Sequence, residues 1–298
     1  NEEWSMILVD MNQVCISNLM VSLTTTNNKL SEDLVRHMVM NSLRFHRNKF
    51  YKDYGELVLC YDSKNYWRRE AFPFYKGTRK KDRERSSLDW NEIFELLNKI
   101  RDEIRDNLPY KVIEVDGAEA DDIIASLARD QMYRNIRLQN NMQPPQKVLI
   151  LSGDKDFLQL QRYKHVNQYN PIQKKFMNGI DPKVYLLEHI IKGDRGDGIP
   201  NFLSDDDTFV TPAKRQRPLS KKNLAKWVDM APEEFCNDNT LKNYERNRML
   251  IDFTFIPEQV YTNIINTYES IRPHPRGMMY PYFEQHQLNE MLDNITDF

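Results

Sequence analysis

The sequence is short of the residues that mark several protein classes. Its three cysteines, Cys15, Cys60 and Cys236, are scattered, odd in number and without metal-ligand spacing. They exclude a disulfide framework and a cysteine zinc site, and read as free thiols, buried where they sit in apolar runs. The six histidines do not cluster, which argues against a zinc enzyme. No apolar run approaches the roughly 18 residues of a membrane span, so no membrane partner is expected. The opening Asn1-Glu2-Glu3 is acidic and lacks a secretory signal pattern, so a cytoplasmic protein is expected. The nine glycines form no Gly-x-x-x-x-Gly-Lys loop, which removes P-loop phosphate chemistry.

What remains is globular material with an uneven charge pattern. Hydrophobic residues make up 40% and charged residues 29% of the 298, enough to bury a sizeable core. The net charge of -2 points to no partner by itself, but its distribution does. From Lys64 to Arg85 nine Lys/Arg stand against three Asp/Glu, and from Thr211 to Trp227 six Lys/Arg stand with no acid. Two basic blocks and a separate acidic cluster fit a protein that grips a polyanion around a metal site.

The acids lie at the ends of predicted strands. Residues 6–9, 56–61, 111–115 and 147–151 are short apolar runs. Helical patterns alternate with them, from Ser31 to near Gly55 and over 88–108, 123–138 and 182–192. The alternation predicts an α/β fold with a mainly parallel central sheet flanked by helices. Such sheets bind ligands beyond the C-terminal strand ends. Asp10 follows the first run, Asp62 the second, Glu119, Asp121 and Asp122 the third, and Asp154 and Asp156 the fourth. A glycine-rich turn adds Asp194 and Asp197. One strand-end Asp is more often a turn residue, but four successive strands argue for one site. Like charges held together raise one another's pKa, and divalent cations relieve that cost. Oxygen-only donors favour Mg²⁺ or Mn²⁺.

After residue 157 two more strands are expected, at 166–170 and 174–177. Residues 200–218 carry Asp205-Asp206-Asp207 and Lys214-Arg215-Gln216-Arg217 between prolines, which reads as a mobile loop. The rest is predicted helical, over 221–228, 240–252, 257–271 and 276–295. The expected division is an α/β domain over 1–200, with a basic segment at about 63–87, and a smaller helical domain over 201–298. In the basic segment, Tyr66, Trp67, Phe72, Phe74 and Tyr75 suit stacking on unpaired bases. Lys76 and Arg79 are three apart, so on a helix they share a face, and Arg suits a bidentate phosphate grip. Arg68, Lys80 and Lys81 are further candidates. Lys214, Arg215, Arg217, Lys221 and Lys222 are read as phosphate contacts without sequence readout.

Glu119-Ala120-Asp121-Asp122 and Ser152-Gly153-Asp154-Lys155-Asp156-Phe157 resemble the acidic signatures of the 5′-nuclease (flap endonuclease) superfamily. Gly193-Asp194 with Asp197 resembles its Gly-Asp-x-x-Asp turn. Trp67-Arg68-Arg69-Glu70 and Tyr75-Lys76-Gly77-Thr78-Arg79 resemble its arch signature. Order and spacing match over about residues 6–200, and the C-terminal half is most similar to the ribonuclease H branch of the T-even phages. The resemblance implies Mg²⁺-dependent phosphodiester hydrolysis near 5′ ends, with Mn²⁺ able to substitute, acting on RNA and DNA strands of duplexes and on flaps. In replication this would remove RNA primers and adjacent DNA from lagging-strand fragments. It further implies two ions. Asp10, Asp62, Glu119 and Asp121 would hold the first, and Asp121, Asp154, Asp156, Asp194 and Asp197 the second, with Asp122 beside them. Asp121, Lys76 and Arg79 would be the catalytic residues. Implied partners are DNA, RNA–DNA hybrid and flap or forked DNA, then a sliding clamp and a single-strand DNA-binding protein. A monomer is expected, in the host cytoplasm if phage-encoded. The competing reading is a non-catalytic, structure-specific DNA-binding protein descended from a nuclease, which would have lost metal ligands; none is missing here.

Overall fold

Parallel strands carry the apolar runs, and their order positions the acids. The structure, a computed structural model, describes residues 5–298. The N-terminal elements are β1 (Met6–Asp10), α1 (Met11–Thr25), α2 (Glu32–Tyr54), β2 (Glu56–Cys60), α3 (Trp67–Ala71), α4 (Arg79–Arg85) and α5 (Trp90–Asn107). Next come β3 (Lys111–Ile113), α6 (Ala120–Asn140), β4 (Val148–Leu151), a 3-10 helix at Lys155–Arg162, β5 (Val166–Asn170), β6 (Lys175–Phe176) and α7 (Pro182–Lys192). The remainder holds α8 (Lys221–Trp227), α9 (Pro232–Phe235), α10 (Asp238–Ile251), α11 (Glu258–Ser270), α12 (Met279–Gln285) and α13 (Asn289–Asp293).

The sheet runs β3-β2-β1-β4-β5-β6. All pairs are parallel except β5 with β6. Ile7, Leu8 and Val9 are fully buried. Both faces of the sheet are covered, so the strands read as unbroken apolar runs rather than alternating ones. From β1 the chain steps outward through β2 to β3, then returns to place β4 on the other side of β1. The ends of β1 and β4 therefore form the switch point at which such sheets bind ligands. Val9 pairs with Leu151, so Asp10 and Ser152 leave the sheet together, and Ser152 Oγ donates to Asp10 Oδ2 at 3.0 Å.

One face packs on α1, α2, α5 and the C-terminal α12 and α13. The other packs on α6 and α11, with Phe157 and Phe253 between. A third cluster joins Phe72 and Tyr75 to α7, Phe202, α8 and α10. The chain beyond residue 200 thus contributes to all three clusters rather than closing a core by itself. Among the described residues no helix is long and apolar enough to cross a membrane.

Three expectations need correcting. Helix α1 follows β1 without a linker and is absent from the sequence reading. Asp10 is both a strand residue and its N-cap, so no turn signal separates the two elements. The helix expected over 276–295 is broken between α12 and α13, where Gln287 takes a φ of 53°. The 200–218 stretch is tied down instead of mobile. Asn201 Nδ2 donates to Arg217 O at 2.9 Å and Arg217 N to Ser204 Oγ at 2.9 Å. The buried Arg246 guanidinium donates to the carbonyls of Pro200, Asn201 and Ser204. A buried guanidinium has five donors to satisfy, and here three loop carbonyls share that task with the side chains of Asn243, Asn247 and Asp206.

Candidate active site

Each acid at the switch point is set by local backbone needs. Asp10 caps α1 through Gln13 N at 3.5 Å. Asp62, just past β2, accepts from Ala120 N at 2.6 Å at the start of α6. Asp121 lies in the first turn of α6. Asp154 caps the following 3-10 helix by accepting from Asp156 N at 2.9 Å. Exposed backbone N–H groups at helix starts favour negative charge. The loop carrying Asp154 is clamped by Gln168 Nε2, which donates to Ser152 O at 2.8 Å and Asp154 O at 2.7 Å. Asp194 and Asp197 sit in the turn after α7. There Gly193 and Gly198 take φ of 69° and 73°, and a Cβ on Gly193 would lie 2.4 Å from Ile199 O. Only glycine fits that turn.

These acids sense one another. Burial pushes the Asp10 carboxyl up to about 7, helped by the charges of Asp62 and Asp154. Burial and then Asp154, Glu119 and Asp10 raise Asp121 well above the ordinary range. Burial and then Asp154 do the same to Asp156. Asp62, Asp154 and Asp197 are also raised, burial leading in each. Asp121, Asp154 and Asp156 each offer an oxygen within 4.8 Å of the others. Among the described residues, no Lys or Arg forms an ion pair with Asp10, Asp62, Asp121 or Asp154. Buried or half-buried hard oxygen donors without an ion-pair partner fit a divalent cation of the Mg²⁺ or Mn²⁺ kind.

Glu119 and Asp122 belong to a different network. Arg68 Nη1 donates to Glu119 Oε1 at 2.9 Å and Asp122 Oδ2 at 3.0 Å, and Arg68 Nε donates to Leu250 O at 2.8 Å. Tyr75 Oη donates to Glu119 Oε1 at 2.9 Å, and Lys76 Nζ to Glu119 Oε2 at 2.5 Å. Burial acts to raise Glu119, but Lys76 and Arg68 outweigh it and leave the carboxyl below its usual value. Asp122 Oδ2 also accepts from Glu119 N at 2.9 Å, closing a capping box on α6. Asp122 is fully buried and Arg68 is 3% exposed. The structure thus places Arg68, expected at the nucleic acid, and Asp122, expected at the metal, in a buried ion pair with each other. A guanidinium held between two buried carboxylates is not presented to a phosphate in this arrangement.

The basic segment needs two more corrections. Trp67, Phe72 and Tyr75 are core residues, so of the five aromatics only the half-buried Tyr66 and Phe74 retain accessible faces. Lys76 and Arg79 do not share a helix face: α4 starts at Arg79, and Lys76 sits before it with a φ of 54°. Both still point into the site, Lys76 onto Glu119 and Arg79 Nη2 onto Asp197 Oδ1 at 2.9 Å. Lys76 N donates to Asp197 O at 2.7 Å, which ties the segment to the glycine-rich turn. Lys80, Lys81, Lys214, Arg215, Arg217, Lys221 and Lys222 are exposed, and Lys214 is paired with Asp205 and Asp207.

Sequence reasoning misses His189. Its Nε2 lies 3.2 Å from Asp194 Oδ2 and its Nδ1 3.2 Å from Asp156 Oδ1. Burial lowers the ring's basicity, but Asp194 and Asp156 outweigh that and leave it raised. Scattered histidines give no spacing signal. The only hint is its place on α7, five residues before Asp194. The Tyr75 hydroxyl is a second omission, signalled only by its position beside Lys76.

Carboxylates gathered at the switch point of a parallel sheet, under a basic segment, suit metal-assisted hydrolysis of phosphodiesters, and the chain's relatives are nucleases. The family model described as "5'-3' exonuclease, N-terminal resolvase-like domain" matches residues 5–187. A second, "T4 RNase H, C terminal", matches 181–298. The chain is 32% identical over 300 residues to the Ribonuclease H of Enterobacteria phage T4, covering 98% of this chain and 95% of that one. It is 29% identical over 163 residues to a 5'-3' exonuclease of Buchnera aphidicola, covering 51% of this chain and 50% of that one. Two bacteriophage T5 crystal structures share the fold. A T5 protein co-crystallized with metal ions has a TM-score of 0.59 at 14% identity, over 89% of this chain and 98% of that one. The T5 flap endonuclease complex with DNA and metal ions has a TM-score of 0.57 at 16% identity, over 89% of this chain and 99% of that one. The chain belongs to the 5'-3' exonuclease family.

Proposed function

We propose that this chain is a Mg²⁺-dependent 5′ to 3′ exonuclease with ribonuclease H and flap endonuclease activity. It removes RNA primers and adjacent DNA from lagging-strand fragments during phage replication. The observation that carries this reading is the set of mutually repelling, half-buried to buried carboxylates at the switch point, beside Lys76 and Arg79. The similarity to phage T4 Ribonuclease H over nearly the whole chain supports it.

Asp10, Asp62 and Asp121 are assigned to one ion, and Asp121, Asp154, Asp156, Asp194 and Asp197 to a second. Bound divalent ions supply a water of lowered pKa and a clamp on the attacking and leaving oxygens. The chain's own cations do the positioning. Lys76 and Arg79 sit on carboxylates in the free protein. An entering phosphodiester offers them stronger anionic acceptors, with Arg79 suited to a two-oxygen grip. Glu119, once Lys76 turns to the phosphate, would be available to help hold the first ion. Burial of Asp10 and partial burial of Asp121 limit the weakening of these interactions by bulk water. Lys80, Lys81, Lys214, Arg215, Arg217, Lys221 and Lys222 hold the duplex backbone away from the reacting bond. The sliding clamp, the single-strand DNA-binding protein and the monomeric state rest on the family resemblance alone.

The test uses a 5′-labelled RNA–DNA hybrid with Mg²⁺, with chelator, and with Asp121→Asn. Short 5′ products are expected only from the unaltered protein with metal. Cleavage that persists in chelator overturns the mechanism.

A further inference from the structure

His189 lies inside the acid cluster but has no part in the ligand sets above. It is held on both ring nitrogens by carboxylates of different elements: Asp156 from the 3-10 helix after β4, and Asp194 from the turn after α7. The two contacts are not alike. Nε2 lies 3.2 Å from Asp194 Oδ2 in hydrogen-bonding geometry. Nδ1 is also 3.2 Å from Asp156 Oδ1 and is shut off from solvent, yet makes no hydrogen bond. Asp156, His189 and Asp194 each place one donor atom within 4.8 Å of the others. Asp156 is also one of the three carboxylates of the all-oxygen group with Asp121 and Asp154.

We infer that His189 Nδ1 and Asp156 form a mixed nitrogen–oxygen position for a divalent transition cation, with Asp194 orienting the imidazole through Nε2–H. The inference rests on the nuclease reading in treating Asp156 as a ligand, and it moves Asp194 from the second ion's ligands to a positioning role. Three features carry it. Two ligand atoms at about 2.1 Å from one ion, at angles between octahedral and tetrahedral, stand roughly 3.0–3.4 Å apart, the spacing seen between Nδ1 and Asp156 Oδ1. A metal-bound histidine characteristically donates its other ring N–H to a carboxylate, which fixes the tautomer, and Asp194 stands there. Helix α7 holds the ring at 12% side-chain exposure between the two acids, so a binding ion needs only to displace the Nδ1 proton to solvent, without a large rearrangement of the ring.

The consequence is selectivity. Imidazole nitrogen suits Co²⁺, Ni²⁺ and Zn²⁺ best, and Mn²⁺, though at home among oxygen donors, accepts it more readily than Mg²⁺, which keeps its waters. The all-oxygen group and the His189 position therefore differ in the ion they favour, and replacing the imidazole should cost transition ions more than Mg²⁺.

The experiment is pulsed electron paramagnetic resonance of the full chain loaded with Mn²⁺ to saturation, with calorimetric titration of Mn²⁺ and Mg²⁺ alongside. Directly bound ¹⁴N modulation is expected, replaced by a ¹⁵N pattern when histidine is ring-labelled, and lost in His189→Gln. In that variant Mn²⁺ affinity at the His189 position should fall by at least about 10-fold, no less than the loss of an outer-shell partner costs, with Mg²⁺ affinity changing by less than about threefold. Absence of nitrogen modulation at full occupancy overturns the inference. So does modulation that survives in folded His189→Gln, or an equal loss for both metals. If the variant fails to fold, its fully Mn²⁺-saturated parent still decides: directly bound, histidine-derived nitrogen supports the position, and its absence rejects it. None of these readouts needs cleavage. An active enzyme without the nitrogen signal refutes this position alone, and the signal in a protein that cuts nothing refutes the nuclease reading alone.

Discussion

Asp121 and Asp122 are neighbours in the first turn of one helix, yet the fold treats their charges in opposite ways. Asp122 faces Arg68 and the α6 N-terminus, and shares that guanidinium with Glu119. Asp121 faces Asp154, Asp156 and Asp10 with no Lys or Arg ion pair. One helical step, about 100°, separates a structural clasp from a cation site. The comparison shows how a buried acid cluster can be both rigid and hungry for metal. Paired acids anchor the basic segment to the sheet edge, and unpaired ones are left for an ion to neutralise. It also separates two kinds of expected damage.

The largest effects should divide along that line. Asp121→Asn should lower cleavage by at least about 100-fold, the scale of losing one preorganised electrostatic contact in a transition state. It should leave the thermal midpoint of the metal-free protein unchanged or higher, because it removes an uncompensated charge. Asp122→Ala should do the reverse in stability. It strips a buried guanidinium of a partner, at a cost of about 3–5 kcal/mol, visible as a lowered urea midpoint. Equal destabilisation by the two substitutions would break the distinction.

Acidity offers a second, smaller division. For Asp10 the folded carboxyl titrates near 7, against about 4 in an unfolded chain. Between those values the folded state holds the extra proton, so stability falls as pH rises through that window. Asp121 and Asp156 are shifted the same way. Glu119 is shifted down, so its contribution is present above the unfolded value and is lost as pH falls through the folded one. In chelator, the thermal midpoint should therefore drop between pH 5 and pH 8. Saturating Mg²⁺ should restore more at pH 8 than at pH 5. Glu119→Gln should flatten the acid side of the profile while leaving the decline between pH 5 and 8 in place. A chelated protein whose midpoint climbs steadily to pH 8 would show that the unpaired acids carry no net cost.

Much of this cluster could be read before the fold was known, for a specific reason. Buried parallel strands are continuous apolar runs, and the acids come immediately after them, so strand ends and candidate ligands are marked together. The fates of Asp121 and Asp122 could not be read, because sequence spacing does not say which side of α6 meets Arg68. Arg68 itself looked like a phosphate contact: charge is visible in a sequence, and burial of that charge is a tertiary fact. His189 escaped because its partners come from elements far from it or from a turn whose path depends on Gly193 and Gly198. Helix α1 escaped because its cap is the last residue of the strand before it.

The smallest predicted effect carries the paired-versus-unpaired comparison to the cations of the second basic block. Lys214 is bound to Asp207 Oδ1 at 2.6 Å and Asp205 Oδ2 at 3.1 Å. Lys221 and Lys222 open α8 exposed, with no acid in that helix's first turn. A phosphate contact by Lys221 or Lys222 releases a counterion from DNA without breaking anything in the protein. Such a contact by Lys214 must first displace two carboxylates, which then lie beside the DNA. Duplex affinity measured across salt concentrations should therefore respond unequally. Lys221→Ala should reduce the slope of log K against log salt by about 1. Lys214→Ala should reduce it by less. Equal reductions would mean that Asp205 and Asp207 let go of Lys214 at no cost, and that pairing in the free protein does not decide which cations serve the substrate.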